Sequence, residues 1–215
     1  MQTKVGQAFV EQALAAKAAE VIDKAPKRKA KPTWVRPEVI PDGRVLAFDQ
    51  TFSKTGWCFV IVTDGVIEVR AKGFIQEPPI PDLKGFEDIL QRSEWMYGRI
   101  LDVIVDTMRD TYDIAVVHEA PVLHAMRVEA SLLGGFAVRL ATRRAMSRAP
   151  HIVENRRMLG LLVPPDERYN QTGKGHITRA LLPYVDTRKG WNEHNRDGLA
   201  LALTYLYDKE DSSAP

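Results

Sequence analysis

Four side chains that could hold a metal ion stand where a predicted strand ends or a predicted helix begins. Asp49 follows the apolar run that starts at Val45, Glu119 follows the run DIAVVH, and His194 and Asp197 open the last predicted helix. Oxygen ligands with one imidazole suit Mg²⁺ or Mn²⁺. Two such ions in one site are a standard device for in-line displacement at phosphorus. The four positions therefore indicate metal-dependent phosphoryl chemistry.

Each of these residues also has an ordinary structural interpretation. An aspartate after a strand commonly forms a turn, and an acid in a first helical turn suits the helix dipole. Taken singly, the ordinary interpretations are favoured; the order strand-Asp, strand-Glu, helix His-x-x-Asp favours one shared site. If the two strands are parallel neighbours, Asp49 and Glu119 end at the same sheet edge. His194 and Asp197 are three residues apart, on one helical face that can close the same pocket.

The elements that must position these residues follow a mixed α/β order. Asp64-Gly65 predicts a tight turn between the second and third strands. We expect a five-stranded mixed sheet, with three antiparallel strands and then two parallel ones, flanked by helices. The predicted elements are the strands Val45 to Asp49, Trp57 to Thr63 and Val66 to Ile75, a helix from Asp82 or Gly85 to about Met108, the strand Asp113 to His118, a helix from about Val128 to Met146, the strand His151 to Glu154, and helices Asn155 to Leu161, His176 to Val185 and about Glu193 to Tyr207.

The two ends of the chain differ from this core. Residues 5–23 have the apolar spacing of an amphipathic helix, and Lys24 to Arg36 is basic, contains prolines and lacks acids. This basic segment is either a tether or an arm that contacts phosphates. We therefore divide the chain into an N-terminal helix and linker (1–43), a core domain (44–207) and an acidic tail (208–215).

Composition excludes several classes of protein. The chain has 215 residues, 45% of them hydrophobic, and a net charge of only +2, so any nucleic-acid contact must come from local basic surface rather than bulk charge. The single cysteine, Cys58, excludes an internal disulfide and is interpreted as a buried small hydrophobe. No apolar run is long enough to span a membrane, and the start of the chain lacks a secretory signal. We expect a cytoplasmic protein without a membrane partner.

Four segments, FDQTFSKTGW, VVHEAP, SLLGGFAVRLA and HNRDGLALAL, together resemble the RuvC-like Holliday-junction resolvases. The resemblance covers about Arg44 to Tyr207. It implies a ribonuclease H-like nuclease domain over 44–207 and a homodimer that binds a four-way DNA junction. It also implies paired nicking of opposing strands in DNA recombination and repair, with two divalent ions per active site, Mg²⁺ or in its place Mn²⁺.

The resemblance also implies roles for individual residues. Asp49 matches the first-strand aspartate, Glu119 the fourth-strand glutamate and Asp197 the final-helix aspartate. His194 matches a position that is Asp in some members and His in others. Lys174 resembles a basic residue that approaches the scissile phosphate. The helix with Leu133, Gly134 and Gly135 matches the one that forms the dimer interface.

Departures from the family pattern indicate a divergent member. Bacterial members usually have Pro-Gly after the first aspartate, whereas Gln50 and Thr51 stand here. This favours a phage-type enzyme that acts in the cytoplasm of its host. Family members often place an aromatic residue three positions after the glutamate to wedge into the junction, and this chain has Val122 there. The density of positive charge in the middle of the chain favours phosphate contacts, for which the candidates are Arg127, Arg143, Arg144, Arg156, Arg157 and Lys174.

Three other functions remain open from the sequence. The same fold could cut flap, fork or other branched DNA during phage genome processing. An actin-like ATPase or sugar kinase also has a strand, an aspartate and a Thr/Ser-rich turn, but it needs a second glycine-containing phosphate loop that we do not find. A non-catalytic junction-binding module is disfavoured because all four candidate ligands are present.

Overall fold

The computed structural model describes residues 37–50, 54–76, 85–120, 128–164 and 175–211. The predicted N-terminal helix and the basic segment Lys24 to Arg36 lie outside these residues. None of the helices in the described part of the chain has the length and apolarity needed to cross a lipid bilayer.

Five strands form one mixed sheet in the order β3-β2-β1-β4-β5. The first three are antiparallel neighbours, and β4 and β5 continue the sheet in parallel. This is the predicted arrangement, with β1 beside β4. The strands are β1 (Gly43–Gln50), β2 (Lys54–Thr63), β3 (Val66–Gln76), β4 (Ala115–Glu119) and β5 (His151–Val153).

The hairpin between β2 and β3 turns at Asp64 and Gly65, as predicted. Their φ angles are 52° and 74°, so both central residues occupy the left-handed region. This pattern is typical of the two-residue turns whose twist matches that of the flanking strands. The turn brings β3 back along β2 as the outer strand of the sheet.

Helices cover both faces of the sheet. On one face, α1 and α2 pack against a core that includes Leu46, Phe48 and Val116. On the other face, α5 packs against β1 and β2, with α3 and α4 beside it. Cys58 is buried in this second core, as predicted. The helices are α1 (Gly85–Asp110), α2 (Val128–Met146), α3 (Asn155–Leu162), α4 (Gly175–Leu181) and α5 (Glu193–Asp211).

Two helix boundaries differ from prediction by four residues. We expected α4 to reach Val185, but it ends at Leu181 and continues only as a turn. Pro183 explains this, because proline lacks an N–H donor and disfavours helical backbone at the residue before it. At the other end of the domain, α5 continues to Asp211, four residues beyond the predicted Tyr207.

The small residues of α2 face the sheet. Gly134, Gly135 and Ala137 are all buried, and a Cβ atom on Gly135 would lie 3.4 Å from Cε1 of His118. The resemblance assigns this helix to a dimer interface. Within one chain its small residues let α2 approach the side chains on the sheet, and the exposed apolar residues of α2 lie elsewhere, at Leu132, Phe136 and Leu140.

Candidate active site

Asp49 and Glu119 lie side by side at the carboxyl ends of β1 and β4. Phe48 pairs with His118 in parallel register, so the next residues of the two strands are neighbours. Asp49 is 7% exposed, and Glu119 is half-buried. The structure therefore holds two carboxylates together in a place with little water.

This proximity changes the acidity of Glu119. Burial, and then the negative charge of Asp49, raise the pKa of Glu119 from 4.5 to about 7. The Asn155 side chain acts in the opposite direction, because its Nδ2 donates to Glu119 Oε1 at 2.7 Å and stabilises the charged form. The two carboxylates repel each other when both are ionised.

His194 completes a close group with Asp49. Its Nδ1 lies 2.5 Å from Asp49 Oδ2, and its ring stacks on Phe74 with centroids 5.4 Å apart. Gly56 pairs with Asp49 across β1 and β2. A Cβ atom on Gly56 would lie 2.3 Å from the Cβ atom of His194, so only glycine lets the helix bring His194 this close to the sheet.

Two asparagines fix the start of α5 on the sheet. Asn192 Oδ1 accepts a hydrogen bond from Asn195 N at 2.8 Å, which caps the helix. The Asn195 side chain is buried, and its Nδ2 donates to the backbone oxygens of Trp57 and Gly73. These bonds connect α5 to β2 and β3 and so hold His194 in register with Asp49.

Asp197, the fourth predicted ligand, is half-buried and follows His194 by three residues in α5. This spacing places it on the helical face that carries His194. Lys174, the fifth predicted catalytic residue, lies outside the described residues.

The carbonyl and amide of Glu119 are also held. His118 is buried, and burial lowers the pKa of its ring, so the ring is neutral near pH 7. Its Nδ1 lies 2.8 Å from the Glu119 carbonyl oxygen and donates to it. The Gln50 side chain contacts the same peptide groups.

Sequence reasoning assigned no role in the site to Gln50, Gly56, Asn155 or Asn195. A signal existed for two of them. Gly56 stands in a strand pattern, where an isolated glycine often marks close backbone approach. Asn195 stands between the two predicted ligands of the last helix. The role of Gln50 depends on a contact between β1 and β4, and that of Asn155 on a contact between α3 and β4. No local pattern shows either contact.

The donor chemistry of this site fits a hard divalent cation. Carboxylate oxygens are the ligands that Mg²⁺ prefers, and a cation between Asp49 and Glu119 would relieve their repulsion. Within the described residues, no three His, Cys, Asp or Glu side chains are already arranged around one metal position. In this arrangement the His194 imidazole is hydrogen-bonded to Asp49.

Neither the protein-family models nor the curated protein sequences gave a match to this chain. Solved structures did. The RuvC protein of Thermus thermophilus in complex with a Holliday junction substrate superimposes with a TM-score of 0.62 at 15% identity, covering 80% of this chain and 98% of that one. A second Thermus thermophilus RuvC structure gives a TM-score of 0.56 at 17% identity, covering 78% and 96%.

A eukaryotic protein shares the same architecture. The yeast mitochondrial Holliday junction resolvase Ydc2 superimposes with a TM-score of 0.53 at 11% identity, covering 81% of this chain and 82% of that one. This chain has a RuvC-like fold. The predicted ribonuclease H-like arrangement is therefore confirmed.

The RuvC-like domain places its candidate DNA-binding arginines in different settings. Arg143 and Arg144 are exposed in the last turn of α2. Arg157 is exposed but hydrogen-bonded to Asp208 Oδ1 through Nη2, at 2.6 Å, so any phosphate contact would compete with that ion pair. Arg127 and the Arg156 side chain, like Lys174, lie outside the described part of the structure.

Proposed function

We propose that this chain is a metal-dependent endonuclease that resolves four-way DNA junctions by paired nicking. The observation that carries the proposal is the convergence of Asp49, Glu119 and His194 at one end of a RuvC-like sheet. Asp197 follows in the same helix as His194. The structural relatives that support the fold include a resolvase described with its junction substrate.

In this proposal Asp49, Glu119, His194 and Asp197 hold two Mg²⁺ ions, for which Mn²⁺ can substitute. Such ions, when bound, activate a water molecule and stabilise the leaving oxygen during phosphodiester hydrolysis. The protein's own contribution is positioning. The His194 contact orients the Asp49 carboxylate, and Asn155 orients the Glu119 carboxylate through Oε1.

Positive charge outside this group would contact the DNA backbone. Arg143 and Arg144 are exposed on α2, and Lys174 is proposed to approach the scissile phosphate. Phosphate contacts of this kind position the substrate and make binding salt-dependent.

We also propose that the enzyme is a homodimer, because two opposing strands must be cut in concert. An apolar cavity of about 230 Å³ opens between α1 and α2. Its lining includes Leu90, Phe136 and Leu140, each more than 40% exposed. A second copy of the chain would cover this surface.

The Gln50-Thr51 pair in place of Pro-Gly supports a phage-type member acting in the host cytoplasm.

The test compares cleavage of a mobile four-way junction, a flap, a fork and a plain duplex, with Mg²⁺ and with EDTA. Symmetric paired nicks in the junction, abolished by EDTA, are expected. Preferential cutting of the flap or fork would show that the proposed substrate is wrong and that the enzyme hydrolyses another branched DNA by the same chemistry. Absence of metal-dependent cutting on all four substrates, or cleavage that requires ATP, would refute the proposal.

A further inference from the structure

Gln50 stands directly after Asp49, at the point where β1 and β4 stop pairing. The regular parallel register between the two strands runs from Val45↔Ala115 to Phe48↔His118. Glu119 is the next residue of β4, so its backbone groups need other partners on this side. The Gln50 side chain, only 2% exposed, supplies them.

The contacts join one carboxamide to both backbone groups of one residue. Gln50 Nε2 donates to the Glu119 carbonyl oxygen at 2.8 Å. The Glu119 amide donates to Gln50 Oε1 at 3.2 Å. A carboxamide has the same donor and acceptor pair as a peptide group. The side chain therefore adds one rung to the ladder between β1 and β4, at the residue that carries the second carboxylate.

The two faces of the sheet separate this support from the reacting groups. Successive side chains of a strand point to opposite faces. Asp49 points toward His194 and α5, whereas Gln50 points toward α2, where a Cβ atom on Gly135 would lie 3.6 Å from Gln50 Nε2. Gln50 therefore holds the Glu119 backbone from the α2 face of the sheet and does not contact a substrate bound on the α5 face.

We propose that Gln50 is a positioning residue that fixes the Glu119 backbone, and so the separation of the two carboxylates, for metal binding. This inference rests on the proposed function for its effect on catalysis, but not for its effect on the Glu119 peptide. The two carboxylates repel, and a backbone held on both its N–H and its C=O keeps them at a fixed spacing. Removing such an outer support typically costs about 10–100-fold in metal affinity or activity.

The test uses the full-length chain with Gln50→Met, which keeps the size of the side chain and removes the carboxamide. Gln50→Ala is the second variant, because it leaves room for water to hydrate the freed peptide groups and so tolerates folding better. Thr142→Val is the matched control. Thr142 is fully buried and its Oγ1 donates to Val138 O at 2.8 Å, so this variant also loses one buried hydrogen bond, but in α2.

The first readout is independent of cleavage. Amide hydrogen exchange measured by NMR should accelerate at Glu119 in both Gln50 variants and stay unchanged there in Thr142→Val. Mn²⁺ binding followed by electron paramagnetic resonance should weaken by about tenfold or more in the Gln50 variants alone. Unchanged exchange at Glu119 in the Gln50 variants would overturn the proposal. If the wild-type chain binds Mn²⁺, an unchanged Mn²⁺ affinity in these variants would also overturn it.

Cleavage of the four-way junction separates this inference from the proposed function. If the wild-type chain cuts, the Gln50 variants should need several-fold more Mg²⁺ for half-maximal rate, with junction affinity in EDTA unchanged. Wild-type Mg²⁺ dependence in Gln50→Met would refute the positioning role. If the wild-type chain cuts no branched DNA while exchange at Glu119 still depends on Gln50, the proposed function fails and the support of the Glu119 peptide stands.

Discussion

Replacing Glu119 by Gln should stabilise the metal-free protein at neutral and alkaline pH. The pKa of Glu119 is raised from 4.5 to about 7 by burial and by the charge of Asp49. A raised pKa means that the ionised carboxylate costs stability in the folded state. At about 1.4 kcal/mol per pKa unit, that rise corresponds to about 3 kcal/mol above pH 7. Gln has the shape of the neutral carboxyl group and can still accept from Asn155 Nδ2.

The sign of the pH dependence follows from the direction of the shift. The stability associated with a neutral Glu119 is fully present below pH 4.5 and is lost as pH rises through about 7. Glu119→Gln should therefore match the wild type near pH 4.5 and exceed it by an amount that grows until about pH 7 to 8. For a domain of this size, about 3 kcal/mol corresponds to roughly 6–12 °C in melting temperature.

The assay is thermal unfolding with EDTA and with Mg²⁺ at pH 5 and pH 8. Mg²⁺ should raise the melting temperature of the wild type at pH 8, since a ligand that binds only the folded state stabilises it, and should do so much less in Glu119→Gln. The control is Glu68→Gln on β3, where the ion pair with Arg70 is more than half exposed and should contribute little. A Glu119→Gln variant no more stable than wild type at pH 8, or equally stabilised at pH 5, would refute the electrostatic reasoning.

Four further predictions concern the same region. Asp49→Asn and Asp197→Asn should each lower cleavage by about 100-fold or more while junction binding persists, because metal-ion catalysis supplies several kcal/mol; a normal rate in gel assays would contradict their role as ligands. His194→Asp should retain part of the activity in the same assay, since a carboxylate can replace imidazole at a hard-ion site. Gly56→Ala should lower the free energy of unfolding by about 1–3 kcal/mol through overpacking against His194, as measured in urea. Cys58 is buried and its thiol pKa is raised to about 12, so Ellman's reagent at pH 8 should label it only as the protein unfolds; rapid labelling of the native protein would contradict the predicted core.

Much of the fold could be predicted from local patterns. The alternation and apolarity of the strands placed all five, and the Asp64-Gly65 turn is where the sequence predicts it. The predicted bounds of α2 agree with Val128–Met146. The predicted C-terminal ends of two helices, α4 and α5, were wrong. Pro183 ends α4 early, and the acidic residues after Tyr207 continue α5 because nothing in them breaks a helix.

Only part of the candidate site could be predicted from the sequence. The proximity of Asp49 and Glu119 could be predicted because strand ends are recognisable in the sequence and because parallel neighbours end at the same edge of the sheet. The glycines of α2 show what the sequence does not supply. Gly135 makes room for His118 and Gln50, and the sequence does not identify these two partners. A helical pattern shows which residues are small, but not which face they occupy.

Gln50, which stands where the RuvC-like pattern has proline, shows how the alternation of side chains along a strand organises the site. Because side chains alternate, one dipeptide sends the Asp49 carboxylate to the α5 face and the Gln50 carboxamide to the α2 face. The adjacent dipeptide of β4 does the same, with His118 on the α2 face and donating to the Glu119 carbonyl oxygen. One face therefore carries two carboxylates that repel each other, and the other carries neutral side chains that hold the Glu119 backbone. A proline-glycine pair at these positions would have no carboxamide to do this, so such a chain must hold its glutamate by other contacts.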